Sequence, residues 1–132
     1  MNIDNAAQEH AAFQMALEAG LAHFNARRFD EAYEVWEARW QEETTEGADL
    51  LQGLLQIAVG FAKLQGGNPR ATLKMLTGGA EKLAGYPPAA YGLDLSAILS
   101  LVERWRGAAA EMVERGSAVG VRLPGQEDPS PG

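Results

Sequence analysis

The chain has 132 residues, enough for one domain with a single core, and its 46% hydrophobic, 22% charged and 8% aromatic make-up is that of a soluble folded protein rather than a disordered or membrane-embedded one. The absence of cysteine excludes a disulfide framework, a cysteine nucleophile and every thiolate zinc site, and two histidines, His10 and His23, leave little for imidazole chemistry. The net charge is −7, and the segment from Asp30 to Asp49, with eight acids and Arg39 as its one base, equals that whole excess, so no basic face is offered to a phosphate backbone and nucleic-acid binding is disfavoured.

Glycine and proline punctuation predicts five helices and no sheet. The first runs from about Asn5 to Arg27, with Phe13, Leu17, Gly20, Leu21 and Phe24 on one face. The second runs from about Asp30, read as its N-cap, to Glu43, with a broad apolar arc of Phe29, Ala32, Tyr33, Val35, Trp36 and Trp40. The third, about Ala48 to Gln65, is apolar nearly all round and belongs at the centre of a bundle, with Gly53 and Gly60 allowing close approach of a neighbour. It is too short and too polar to span a bilayer.

Gly66-Gly67 ends the third helix, and Asn68-Pro69 opens the fourth as N-cap and first-turn proline. Leu73, Leu76, Ala80 and Leu83 mark its buried stripe up to about Gly85. The stretch from Tyr86 to Gly92, with Pro87-Pro88, is an ordered turn or extended connection. Asp94 caps the fifth helix, whose core face is Leu95, Ile98, Val102, Trp105, Ala109 and Met112. The domain is expected over residues 1–116, followed by a flexible Pro/Gly-rich tail over 117–132, in which Val119, Val121 and Leu123 are the residues able to lay an arm on the bundle. Phe29-Asp30-Glu31-Ala32 aligns with Asn68-Pro69-Arg70-Ala71 at an offset of 39. The predicted fold class is therefore all-α: a compact up-and-down bundle of about five helices, read as two helical hairpins plus a closing helix.

The densest polar chemistry is in the second helix, where Tyr33, Glu34, Glu37 and Trp40 put two carboxylates at the margin of an aromatic face. The third helix carries one polar stripe, Gln52, Gln56 and Lys63, whose burial demands partners. The economical expectation is that the two sets face each other, forming a register-fixing polar network, a ligand pocket, or a catalytic or metal site. Phe24 to Trp40, then Leu51-Gln52-Gly53-Leu54-Leu55-Gln56-Ile57-Ala58, Gly67-Asn68-Pro69 and Tyr91-Gly92-Leu93-Asp94, in this order over about residues 20–105, resemble the bacterial and archaeal family of domain of unknown function 309. The resemblance implies a small up-and-down helical bundle with no established activity. It also implies a His-Glu-x-x-Glu-x-x-Trp helix, here Tyr33-Glu34-x-x-Glu37-x-x-Trp40, so the best metal ligand of that group is replaced by tyrosine.

The sequence offers no histidine pair for a zincin, no Glu-x-x-His motif for a dinuclear carboxylate site, no phosphate loop, no Gly-x-Ser-x-Gly elbow and no dinucleotide fingerprint. No metal and no cofactor is implied. The N-terminal residues carry no targeting pattern, so a cytoplasmic protein is expected, without nucleic-acid or membrane partners. Two readings stand: a binding or scaffold domain, compatible with a homodimer and organised by the Glu–Gln–Lys cluster, and a small-molecule or metal-dependent hydrolase-like enzyme using Glu34 and Glu37.

Overall fold

The computed structural model describes residues 3–118, with side chains over 5–116. Its elements are α1 (Ile3–Asn25), α2 (Phe29–Trp40), α3 (Gly47–Gln65), α4 (Pro69–Leu83), β1 (Ala89–Ala90), β2 (Leu93–Asp94) and α5 (Leu95–Ala118). The five predicted helices are present, and each packs against its neighbours in sequence, α3 with α4 most extensively. The tail expected after residue 116 continues α5 by two residues, and from residue 119 it lies outside the described residues, Val119, Val121 and Leu123 with it. Among the described residues no helix is long and apolar enough to cross a membrane.

The helix ends are set by local chemistry. Asn68 Oδ1 accepts from Ala71 N at 3.1 Å and Pro69 opens α4; Asp94 Oδ1 accepts from Ala97 N at 3.0 Å at the start of α5. Asp30 is not the cap of α2, which begins one residue earlier at Phe29, after Arg28, with no side-chain cap. The turn that closes α1 is self-sufficient: Arg28 N donates to His23 O at 2.9 Å across Arg27, whose φ is +64°. The same turn closes α3, where Asn68 N donates to Lys63 O at 2.8 Å across Gly67, at φ +81°. These matched turns correct the repeat register from 39 to 40. His23, Arg27, Arg28 and Phe29 correspond to Lys63, Gly67, Asn68 and Pro69, and the two hairpins α1–α2 and α3–α4 are copies at that offset.

The copies also share their packing. A methyl group on Gly20 of α1 would collide with the Trp36 ring of α2, and one on Gly60 of α3 would stand 2.8 Å from Leu76 Cδ2 of α4. Ala32 and Thr72, at the same offset, are both fully buried, and the Thr72 hydroxyl donates to Gly60 O at 3.0 Å. Between α3 and α4 the backbones themselves meet. A methyl on Gly79 would lie 2.8 Å from Gly53 O, so the glycines of this crossing set the helix separation.

α3 is the most buried element, as its apolar circumference predicts. Leu50, Leu51, Leu54, Ile57 and Ala58 are each at most 2% exposed, walled by Phe13 and Leu17 of α1, Trp36 of α2, Leu76 and Leu83 of α4, and Leu95 and Val102 of α5. Phe13 meets Gly47 and Tyr91 at one end of the bundle, while Phe24, Phe61 and Trp105 meet at the other. α1, α3 and α5 therefore run in one direction, with α2 and α4 as the return helices.

The connection after α4 departs from the sheet-free expectation. Ala89 pairs with Asp94 and Ala90 with Leu93 in a minimal antiparallel hairpin, whose two-residue turn, Tyr91 (φ +55°) and Gly92 (φ +78°), has the left-handed pair of a type I′ turn. Two-residue strands are too short to show alternation in a sequence, and Pro87-Pro88 supplies the extended lead that makes the pairing available. Tyr91 tolerates the backbone because its ring is held edge-on by Phe13 at 5.1 Å and by Tyr86 at 6.2 Å.

Candidate functional site

The residues singled out in α2 and α3 do not assemble into one cluster. Tyr33 and Lys63 both line an open groove of about 460 Å³ between α2 and the α3–α4 turn, together with Asp30, Val59, Ala62, Gly66 and Asn68. Glu34 is exposed, and half-buried Glu37 accepts from Gln41 Nε2 at 2.8 Å rather than from α3. Gln56 leans the other way: its Oε1 is buried without a hydrogen-bond partner and faces Gly78 of α4. Gln52 is half-buried on the same helix, and Trp40 is half-buried against the core. The expected contact of Gln52, Gln56 or Lys63 with Glu34 or Glu37 is thus absent among the described residues. The physical reason is the intimate α3–α4 crossing, which turns Gln56 toward the glycines of α4 instead of toward α2.

The ionic pairing that does form lies at the opposite end of α2. Arg39 Nε donates to Glu43 Oε1 at 2.9 Å, both side chains being under 10% exposed, and Arg39 Nη2 donates to Glu9 Oε1 at 2.9 Å. The Thr45 hydroxyl donates to the second oxygen of Glu43, so this carboxylate is buried with its hydrogen bonds met rather than solvated like the rest of the acidic run. Burial pulls the Arg39 pKa down, but the hydrogen bond to Glu9 and the charges of Glu43 and Glu9 outweigh it and hold it above the ordinary arginine value.

Two tyrosines beside this pairing titrate differently. Tyr86 donates its phenol to Glu46 O at 2.6 Å, and burial raises its pKa above the ordinary 10.0; Tyr91 is raised by burial and by the nearby charges of Glu46 and Glu43. A phenol that resists ionisation in the fold contributes stability fully present below pH 10.0 and lost as pH rises through its folded-state value. Urea melts from about pH 8 to 11 are expected to show a falling alkaline limb. Tyr86→Phe together with Tyr91→Phe should flatten it; an unchanged limb in that variant would place the alkaline sensitivity elsewhere.

At the other end of the bundle lies a cleft of about 350 Å³ whose four aromatic residues the sequence places on apolar helix faces. Phe24 and Asn25 of α1, Arg27 of the turn, Phe29 of α2, Phe61, Leu64 and Gln65 of α3, and Leu101 and Trp105 of α5 line it. Phe29 stacks on Phe61 at 5.3 Å and 23°, Phe24 stands edge-on to both at 5.1 and 5.6 Å, and Trp105 stands at 81° to Phe61 at 6.4 Å. Gln65 Nε2 donates to Arg27 O at 3.3 Å and ties the two hairpins together at the rim. Phe29 and Trp105 stay half-buried. The available signal was the segment Phe24 to Phe29, in which Arg27-Arg28 interrupts aromatic residues where the second hairpin has Gly67-Asn68. Among the described residues no group of three or more His, Cys, Asp or Glu is placed to hold a metal ion.

Residues 17–75 match the model of the family described as Domain of unknown function (DUF309). The resemblance seen in the sequence is thereby established over that stretch, from the second half of α1 to the middle of α4, and the segment Tyr91 to Asp94 lies beyond it. No curated protein matches the chain. The cleft straddles the boundary, seven of its residues lying inside the matched stretch and Leu101 and Trp105 on α5 outside it.

Proposed function

We propose that the DUF309 domain of this chain, together with the helix α5 that closes it, acts by binding a ligand rather than by transforming one, and that the aromatic cleft is the binding site. The observation that carries this reading is the cleft itself: a concavity walled by four aromatic rings, with Asn25, Arg27 and Gln65 as its polar groups. Water gains little from apolar walls of this kind, whereas an apolar group that displaces it gains roughly 25 cal/mol per Å² of buried surface. Among the described residues the groups named for hydrolysis, Glu34 and Glu37, do not line this cleft and share no hydrogen bond or ion pair with Lys63.

Titration with naphthalene-2-methanol, a neutral two-ring probe, tests this. Saturable shifts are expected at the side-chain signals of Phe24, Phe29, Phe61 and Trp105. They should be lost in Trp105→Gln and retained in Glu34→Gln and Glu37→Gln. Shifts that do not saturate, or that are indifferent to Trp105, would refute the cleft as the site.

A further inference from the structure

We infer that the cleft selects a compact aromatic anion, a planar ring system bearing one carboxylate-like head; the inference rests on the binding reading above and specifies its ligand. The walls fix the body of the ligand. At about 350 Å³ the cavity is at the small end of ligand pockets. The stacked pair Phe29–Phe61 and the steep Trp105–Phe61 angle give a flat ring one face to stack on and one edge to meet.

The rim fixes the charge of the head. Arg27 is the single charged residue lining the cleft, in a chain whose net charge is −7. Among the described residues its guanidinium has no carboxylate partner, whereas Arg39, Arg106 and Arg115 are each paired with glutamate. α2 opens two residues later with no side-chain cap, but Asp30 and Glu31 in its first turn offset its positive end, so the positive charge at the rim is that of Arg27 itself. A planar guanidinium meets a carboxylate through two parallel hydrogen bonds, which makes the head group a matter of geometry as well as charge.

The backbone adds an independent reason. Arg27 occupies φ +64°, the position its counterpart in the second hairpin fills with Gly67 at φ +81°. Left-handed backbone strains most residues with a Cβ, Asn least among them, and costs glycine nothing, so the first hairpin keeps a cation at a position better suited to glycine.

The test compares naphthalene-2-carboxylate, naphthalene-2-methanol and naphthalen-2-ylmethylammonium on the full chain by NMR titration. The carboxylate is expected to bind about tenfold more tightly than the alcohol, with the ammonium weakest, and added salt should shrink the gap. Arg27→Asn, whose side chain is at ease in left-handed backbone, should fold with no loss of melting temperature and abolish the carboxylate preference, so that carboxylate and alcohol bind with similar affinity. Arg27→Lys should keep most of the preference. Equal affinity of carboxylate and alcohol in the unmodified protein, or a preference that survives Arg27→Asn, would overturn the anion assignment while leaving the cleft a binding site. Failure of all three probes to shift the cleft signals would overturn the binding reading itself.

Discussion

Replacing Trp36 by alanine is expected to cost about 3–5 kcal/mol, a large fraction of the stability of a domain this size. The indole is 1% exposed, seated on Gly20 of α1, with the Phe24 ring 6.1 Å away. Its removal leaves a cavity that helix backbones on two sides cannot close, so the cavity cost adds to the lost burial. Part of the loss is returned, because Trp36 Nε1 is buried without a hydrogen-bond partner and its desolvation penalty disappears with the ring. Trp40, on the same apolar arc in the sequence, is only half-buried, and Trp40→Ala should cost clearly less. Urea melts of both variants decide the matter; equal losses, or a near-neutral Trp36→Ala, would contradict the seating of the indole on α1.

Gly20→Ala is expected to destabilise by about 1–3 kcal/mol, although the same change in an unconstrained helix interior would stabilise by about 1 kcal/mol. The new methyl would lie 2.6 Å from Trp36 Cδ1 and closer still to Nε1 and Cε2, so either the flat, enclosed indole or the α1–α2 separation must yield. The repeat supplies an internal control. Gly60 faces Leu76, whose branched tip can rotate away, and Gly60→Ala should be the milder change. The two losses at the first hairpin are also coupled: in a Trp36→Leu background, which makes that hairpin resemble the second, Gly20→Ala should recover much of its cost. A stabilising Gly20→Ala in the unmodified chain would show that α1 and α2 are farther apart than described.

The elements and their punctuation were legible in the residues because they depend on neighbours in sequence. Asn68 and Asp94 cap through hydrogen bonds to the third residue ahead, Gly67 supplies a left-handed turn, and the nearly continuous apolar circumference from Leu50 to Ala62 requires a central helix wherever the others lie. Gly53 and Gly60 announced a close approach for the same reason: a missing side chain is visible before its partner is known. Asp30 misled because a capping residue type is no evidence of capping when the preceding turn already meets its own hydrogen bonds.

What only the tertiary structure decided is which face meets which. A periodic pattern says that Gln56, Lys63, Glu34 and Glu37 lie at the edges of apolar arcs, but the side of α3 that α4 occupies was set by the shape match of Gly53, Gly60 and Gly79, and this sent Gln56 away from the glutamates. Arg39, Glu43 and Glu9 came together from α2, its following loop and α1 by the same route. The aromatic cleft belongs to this second kind of information. Phe24, Phe29, Phe61 and Trp105 each read as ordinary core positions, and they line a cavity because α1, α3 and α5 run side by side there and leave the volume between them unfilled, a property of three packed helices that no one of them carries in its own sequence.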